Sequence, residues 1–364
     1  MVTLNILVKK LTLINLNRGT GLGCLHPDVL YLNRSKYAKG YSFWLFYTPY
    51  PPDEAELPYL ARSNNGIVYS YKGVKNPLFM RGSRNEWDSH HIADPDVLID
   101  NNRWLMYYAG AKYVGIKKVV SIGLAMSHDG LIWKKYEYNP VLTADIDNYW
   151  EGGSKHVISV STPTVIKIKN KYYMFYSSKG KDGNSYINLA ISSDGIHWKK
   201  FEENPVIKPT KEFDGKRVDH PKAVKMEDTL LLFYLGKRED RSVLNVAYAM
   251  IDEPYNFIKY EKNPILTAET RAQINVFEEI CRMLKINVKI VQRMFRRMCF
   301  KLLDNRCNNN YWDSWFIYRS TPLVNETREI VRIKNNLTLL YYSAYNFITG
   351  LPSIGIALMK IKLS

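Results

Sequence analysis

Ser127-His128-Asp129-Gly130-Leu131-Ile132-Trp133, with Asn139-Pro140-Val141 six residues beyond it, is the stretch on which the fold turns, because it returns as Ser192-Ser193-Asp194-Gly195-Ile196-His197-Trp198 with Asn204-Pro205-Val206. A softened copy, Ser63-Asn64-Asn65-Gly66-Ile67-Val68-Tyr69, stands before Asn76-Pro77-Leu78, and a degenerate one over Ile251 to Phe257 stands before Asn263-Pro264-Ile265. The Asn-Pro pairs are 63, 65 and 59 residues apart. Asp-Gly and Asn-Gly supply the positive φ of a tight hairpin, and the aromatic residue that follows packs on the strand it has reversed onto. Upstream of each turn lie further strands: Asp96 to Asp100, the turn Asn101-Asn102 and Trp104 to Tyr108 in one unit, Val165 to Lys169, Asn170-Lys171 and Tyr172 to Tyr176 in the next. Val224 to Met226 with Leu230 to Tyr234, and Ile330 to Lys334 with Leu337 to Tyr342, continue the pattern. Four short strands per unit, repeated at this length, predict the blades of a β-propeller.

Five blades follow, over residues 24–79, 87–142, 150–207, 213–266 and 312–363, with innermost strands beginning near Pro27, Pro95, Pro163, Pro221 and Arg328. The fifth ends one strand short. An open edge leaves backbone donors and acceptors unpaired, so the apolar segment Leu4 to Leu16 is expected to supply the missing strand and close the ring. An aromatic residue, a carboxylate and a small residue precede each later blade: Trp87-Asp88-Ser89, Trp150-Glu151-Gly152, Phe213-Asp214-Gly215 and Trp312-Asp313-Ser314. The last spacing exceeds the others by 36 residues. The surplus falls in Thr267 to Asn310, which has no Gly or Pro and alternates apolar steps of three and four from Ile274 to Leu302, the stripe of an amphipathic helix. The predicted fold is therefore all-β, a five-bladed propeller with a helical insertion at 267–310 between blades four and five. That basic helix would pack on the propeller flank or provide a dimer or surface contact.

Composition narrows the function. At 46% hydrophobic and 24% charged residues, a disordered or collagen-like chain is excluded. The net charge of +16 comes from Lys and Arg scattered over outward strand positions, not gathered into a stripe, so no nucleic-acid partner is expected. Four cysteines without CxxC spacing fit neither a zinc site nor a disulfide framework. No apolar run approaches the ~18 residues of a membrane span. Met1 to Gly23 lacks the apolar centre of a signal peptide, which points to a cytoplasmic protein. The 27 Tyr, 13 Phe and 8 Trp suit strands, and they also suit sugar binding, where rings stack on pyranose faces.

The Asp-Pro start of an innermost strand, the Asp-Gly-x-x-Trp turns and the Asn-Pro-Val endings together resemble the five-bladed glycoside hydrolase superfamily of families 43, 62, 32 and 68, with the mannoside phosphorylases of family 130 as near relatives. The resemblance covers nearly the whole chain outside the insertion. It implies an active-site funnel at one end of the channel, with carboxylates presented by the first residues of the innermost strands. Asp94-Pro95 resembles the Arg-Asp-Pro of family 32, and Pro95-Asp96 the Ala-Pro-Asp of family 43. The other blades depart: His26-Pro27-Asp28, Thr162-Pro163-Thr164 and Asp219-His220-Pro221-Lys222 stand at the equivalent places, and Glu326 to Glu329 in blade five. Strand alternation puts the residues before and after the proline on one side, so Asp28, Asp94 and Asp96 are expected to share the channel.

Glycosidic cleavage needs one carboxyl group to protonate the leaving oxygen and a second to act as base or nucleophile. The candidates are Asp28, Asp94, Asp96 and Glu151, the last being the one Glu among the interblade carboxylates. His26, Asp219, His220, Lys222 and Arg328 are expected to bind substrate, with Trp87 and Trp150 as stacking platforms. A structural reading stands beside this one, since Asp-Pro also caps turns and the Trp-carboxylate loops recur at every connection. The expected function is cleavage of glycosidic bonds in an oligo- or polysaccharide. A glycan-binding propeller without catalysis is the alternative favoured by Thr162 and His220, and a phosphorylase the one suggested by Arg217, His220 and Lys222. No cofactor or metal site is expected, although channel carboxylates are compatible with a central cation.

Overall fold

The computed structural model describes residues 2–13, 16, 23–50, 56–238, 241–267, 316–333, 336–345 and 352–363, and among them every regular element is a strand. They form a five-bladed β-propeller. Blade one holds β2 (Cys24–Tyr31), β3 (Phe43–Pro49) and β4 (Tyr59–Ser63), with a bridge between Arg62 and Ser70 at its outer edge. Blade two holds β5 (His91–Asp100), β6 (Arg103–Val114), β7 (Lys117–Ser127) and β8 (Lys134–Lys135). Blade three holds β9 (Val157–Ile168), β10 (Lys171–Lys179), β11 (Ser185–Ser192) and β12 (Lys199–Lys200). Blade four holds β13 (Val218–Met226), β14 (Thr229–Arg238), β15 (Arg241–Met250) and β16 (Ile258–Lys259), with β17 (Leu266–Thr267) also on β15. Blade five holds β18 (Phe316–Pro322), β19 (Leu337–Tyr345) and β20 (Pro352–Leu363), and its outer strand is β1 (Val2–Thr12). β1 runs antiparallel to β20 from Val2 opposite Leu363 to Thr12 opposite Gly355, so the two ends of the chain share one sheet.

Local chemistry makes the blades alike. Ser127 Oγ accepts the amides of Asp129 and Gly130, and the Asp129 carboxylate accepts those of Leu131 and Ile132, so the turn closes on its own side chains. Ser192 with Asp194, and Ser63 with Asn65, do the same. Gly66, Gly130 and Gly195 sit at φ of 73°, 74° and 78°, the left-handed region that favours glycine. Each Asn of an Asn-Pro pair, cis in all four, turns its amide onto both backbone groups of one strand residue: Asn76 on Leu60, Asn139 on Leu124, Asn204 on Leu189 and Asn263 on Val246. A side chain thereby takes the place of a strand partner where the outer edge would otherwise be bare.

Two expectations for blade five change. Its innermost strand is β18, not a strand beginning near Arg328, and of the expected strand Ile330 to Lys334 the described residues, Ile330 to Ile333, are not a strand. The segment from Val324 to Ile330 is instead a strap that bridges in parallel to Leu30 of blade one and to Lys225 of blade four. β18 carries no proline at its bulge, so the mark by which the other four inner strands were located is missing. The expected helix over 267–310 and Trp312-Asp313-Ser314 lie outside the described residues, apart from Thr267 in β17.

Candidate active site

Every innermost strand is bulged at the same height. The register slips between Leu25 and Asp28, Ala93 and Asp96, Asp219 and Lys222, and Ile317 and Ser320; in blade three Ser161 and Thr164 flank the slip. At the bulge His26, Asp94, Thr162 and His220 take φ values of 55°, 56°, 50° and 49°, a region in which non-glycine residues are uncommon and cluster at functional positions. The extra residue breaks plain alternation. Asp28 and Asp96 therefore do not share a layer with Asp94 as expected, and the channel is lined by two rings.

The lower ring holds Asp28, Asp96, Thr164, Lys222 and Ser320, each at 2% exposure or less. Asp28 Oδ2 accepts the amide of Val97 at 2.6 Å, Asp96 Oδ2 that of Val165 at 2.9 Å, and Thr164 Oγ1 that of Ala223 at 3.2 Å, so each side chain stitches its blade to the next. Lys222 Nζ bridges Asp28 Oδ1 at 2.5 Å and Asp96 Oδ1 at 2.6 Å. Arg328, raised into the channel by the strap, lies 2.9 Å from Asp28 Oδ1 and 2.9 Å from Asp96 Oδ2. Burial alone would raise the Asp28 pKa, but Arg328 and Lys222 hold it well below the usual carboxylate range, while burial pulls Lys222 below its ordinary value. Two carboxylates and two cations thus neutralise one another, all four side chains fully buried. Asp28, Asp96, Lys222 and Arg328 close the channel, and a cation there would compete with two fixed ones. Among the described residues no group of three or more His, Cys, Asp or Glu side chains is arranged to hold a metal ion.

Glu151 belongs to a different repeated unit. Its carboxylate accepts the Tyr176 hydroxyl at 2.7 Å and the Asp145 amide at 2.8 Å and pairs with Lys200. Asp88 likewise takes Lys135 at 2.9 Å and the Gly82 amide at 3.0 Å, and Asp214 takes Lys259 and the Thr210 amide. A carboxylate repeated with the same kinds of partner at three connections fastens the blades. Trp87 stacks on Tyr108 and closes over Gly110 and Gly123, where an added Cβ would meet its ring at 2.3 and 2.6 Å. Trp150 packs edge-on against Tyr149 and Tyr186. Neither tryptophan contacts a channel residue in these pairings.

The upper ring is different in kind. His26 Nε2, Arg319 Nη1 and His220 Nδ1 surround Asp94 Oδ1 at 3.3, 3.5 and 3.6 Å, and none of these four buried atoms makes a hydrogen bond. Tyr318 lies against both imidazoles, with centroid distances of 5.2 Å to His26 and 4.2 Å to His220. Buried polar atoms that converge without partners are suited to a ligand's hydroxyl groups. A second carboxyl stands across His26: Glu56 Oε2 is 3.4 Å from His26 Nδ1 and 3.4 Å from Thr48 Oγ1, and the Glu56 carbonyl accepts the amide of Ile92 on β5. Burial, then the Asp94 charge, pushes Glu56 up to about 8, so it keeps its proton at neutral pH. Asp94 would be raised by burial too, yet His26, His220 and Arg319 hold it below the usual carboxylate range. Burial brings His26 down to about 3, leaving a neutral imidazole between the two acids. At the rim Asp219 pairs with Arg217 at 3.1 Å and accepts the His220 amide at 2.9 Å. Burial lowers Lys179 and Lys118 from their ordinary values, against the charge of Asp219 on the first and of Glu56 and Asp94 on the second. Of the residues read from sequence, His26, Asp94, Asp219 and His220 thus meet at the mouth, together with Glu56, Tyr318 and Arg319, which the sequence did not mark.

Comparisons with known proteins agree with this fold. The family model of glycoside hydrolase family 130, described as beta-1,4-mannooligosaccharide phosphorylase, matches residues 59–274. A beta-1,2-mannobiose phosphorylase of Thermoanaerobacter sp. (strain X514) is 28% identical over 144 residues, 36% of this chain and 43% of that protein, so the match spans less than half the length of that relative. Among solved structures, a thermostable family-43 glycoside hydrolase superposes with a TM-score of 0.61 at 15% identity, covering 97% of this chain and 96% of its own. A family 117 glycoside hydrolase of Zobellia galactanivorans superposes at 0.60 and 14% identity, covering 100% and 91%. These likenesses carry the fold, and the family model, matched over more than half the sequence, assigns the chain to glycoside hydrolase family 130, the beta-1,4-mannooligosaccharide phosphorylase family.

Proposed function

We propose that this protein cleaves a β-mannosidic bond of an oligosaccharide at the mouth built by His26, Glu56, Asp94, His220, Tyr318 and Arg319, with inorganic phosphate as the attacking group. The observation that carries the reading is a pair of carboxyl groups held apart by the width of one imidazole and pushed to opposite protonation states, Glu56 protonated and Asp94 ionised. Such a split assigns the acid, with the His26 ring filling the space between the two carboxyl groups. Glu56 gives its proton to the leaving oxygen as the glycosidic C–O bond breaks. Asp94, His26 and His220 hold hydroxyls of the reacting sugar, and a phosphate oxygen forms the new bond to the anomeric carbon.

Phosphate is favoured over water by charge. Arg319, Arg217, Lys179 and Lys118 outnumber the ionised Asp94 and Asp219 at the mouth, a field that draws in an anion. The family model and the Thermoanaerobacter relative, both of phosphorylases, support the same choice. Hydrolysis is the second reading, favoured by an ionised Asp94 able to take a proton from water. Incubation with β-1,2- and β-1,4-mannobiose, with and without inorganic phosphate, tests both. Mannose 1-phosphate formed only with phosphate is the expected result; free mannose at an equal rate in both would make it a hydrolase, and no cleavage of either disaccharide would reject the reading.

A further inference from the structure

The hairpin of β6 and β7 stands taller over the mouth than its counterparts. β6 is paired five residues past Ala109, which lies opposite Ala93 just before the bulge, whereas β14 is paired three residues past Leu235 and β10 two past Ser177. Its tip carries Tyr113, Val114 and Ile116, exposed at 53%, 57% and 76% and turned at Gly115 with φ of 60°. The Tyr113 ring is not loose: His90 meets it edge to face at 4.7 Å and 85°, and the His90 amide is bonded to the Ala111 carbonyl. Across the hairpin Tyr113 is the direct partner of Lys118, whose charge acts on Glu56 and Asp94. Tyr113 stands four strand steps, about 13 Å, beyond Ala109 and the level of the bulge.

We infer that Tyr113, braced by His90, is a stacking platform for a further sugar unit of a longer mannoside, so that the protein prefers oligosaccharides to disaccharides. This rests on the proposed mannoside cleavage. A second copy of the chain is a poorer occupant, because a self-contact at the tip would set Lys112, Lys117 and Lys118 against their own copies, and like charges facing each other are costly. A sugar brings hydroxyls that accept from those ammonium groups and an apolar face for the ring.

The test compares kcat/KM for β-linked mannotetraose with that for mannobiose in wild type, Tyr113→Ala and Tyr113→Phe, for both 1,2 and 1,4 linkages. The tetraose-to-biose ratio should fall about threefold to tenfold in Tyr113→Ala, the worth of one ring stack, and be retained in Tyr113→Phe. An unchanged ratio in Tyr113→Ala, or a wild-type ratio near one, overturns the platform while leaving mannoside cleavage standing. Wild type that cleaves neither substrate rejects the cleavage itself; calorimetry with mannotetraose then decides the platform separately, with equal binding by wild type and Tyr113→Ala, or none by either, overturning it. Sedimentation of wild type and Ile116→Glu completes the set, since a dimer that dissociates in the variant would give the tip to a second copy and overturn the inference.

Discussion

The two rings of the channel come from the same five strands, a proline's width apart, and they treat polar groups in opposite ways. In the lower ring Asp28 and Asp96 share Lys222 and Arg328, and each carboxylate also takes a backbone amide of the next blade. In the upper ring Asp94 Oδ1 is ringed by His26, Arg319 and His220 at 3.3 to 3.6 Å without making a hydrogen bond. Paired groups hold the blades; unpaired ones await a partner. The comparison teaches that burial does not separate a structural acid from a catalytic one here, since Asp94 is only 6% exposed; what separates them is whether the protein has already satisfied them.

Removing charge from each ring in turn breaks the comparison most sharply. Asp94→Asn should lower kcat/KM by roughly 10²–10⁴ in a protein that still folds, with a smaller loss of stability because Arg319 keeps Asp96 as a carboxylate partner. Full activity in that variant would move catalysis to another carboxylate. Lys222→Met should do the reverse, destabilising the protein by about 3–5 kcal/mol in a denaturant titration by leaving Asp28 with Arg328, and Asp96 with Arg328 and the more distant Arg319, as remaining cations. A stable Lys222→Met protein that no longer turns over would return Lys222 to the substrate-binding role first read from the sequence.

Proton occupancy sharpens the contrast within the upper ring. Glu56 must be protonated to act as acid, so turnover should fall as pH rises through about 8, and that limb should vanish in Glu56→Gln along with most of the activity. Stability carries the same sign on that side. Between the ordinary Glu value of 4.5 and about 8 the folded protein holds a proton the unfolded chain has released, so stability declines as pH rises across this window. His26 acts on the other limb: folded it titrates near 3 against 6.5 unfolded, so its contribution is present above 6.5 and lost as pH falls toward 3. A melting temperature flat from pH 6.5 to 8 in wild type, where His26 no longer contributes a slope, or an identical slope in Glu56→Gln, would show that Glu56 does not keep its proton.

The blades were legible because their signals are local. Ser127 bonds to residues two and three positions on, and Asn139 to a strand residue 15 positions back, so hairpin and edge are written in single stretches. The rings were legible only in part. His26, Asp94 and His220 were found through their prolines, but Tyr318 and Arg319 occupy a bulge without one. Alternation, applied without the bulge, put Asp28 and Asp96 beside Asp94, and the residues that neutralise them come from as far as 300 positions away. Glu56 had no signal, for it reaches His26 only because its loop lies against β5.

Blade three gives the finest test, because its members of the two rings, Thr162 and Thr164, are uncharged and differ only in which ring they occupy. Thr164 Oγ1 accepts the buried Ala223 amide, so Thr164→Val orphans a backbone donor and should cost about 1–3 kcal/mol. Thr162 donates to Ser177 Oγ, which also accepts the His220 amide; Thr162→Val removes one bond and leaves that amide satisfied, so about 0.5–1.5 kcal/mol is expected. The activities should order the other way. Freed from Thr162, Ser177 can turn and shift His220 beside Asp94, so Thr162→Val should raise KM severalfold, whereas the folded fraction of Thr164→Val keeps wild-type KM. Equal stability losses with equal KM in the two variants would mean that the rings differ by charge alone, and not by whether the fold has already used the group.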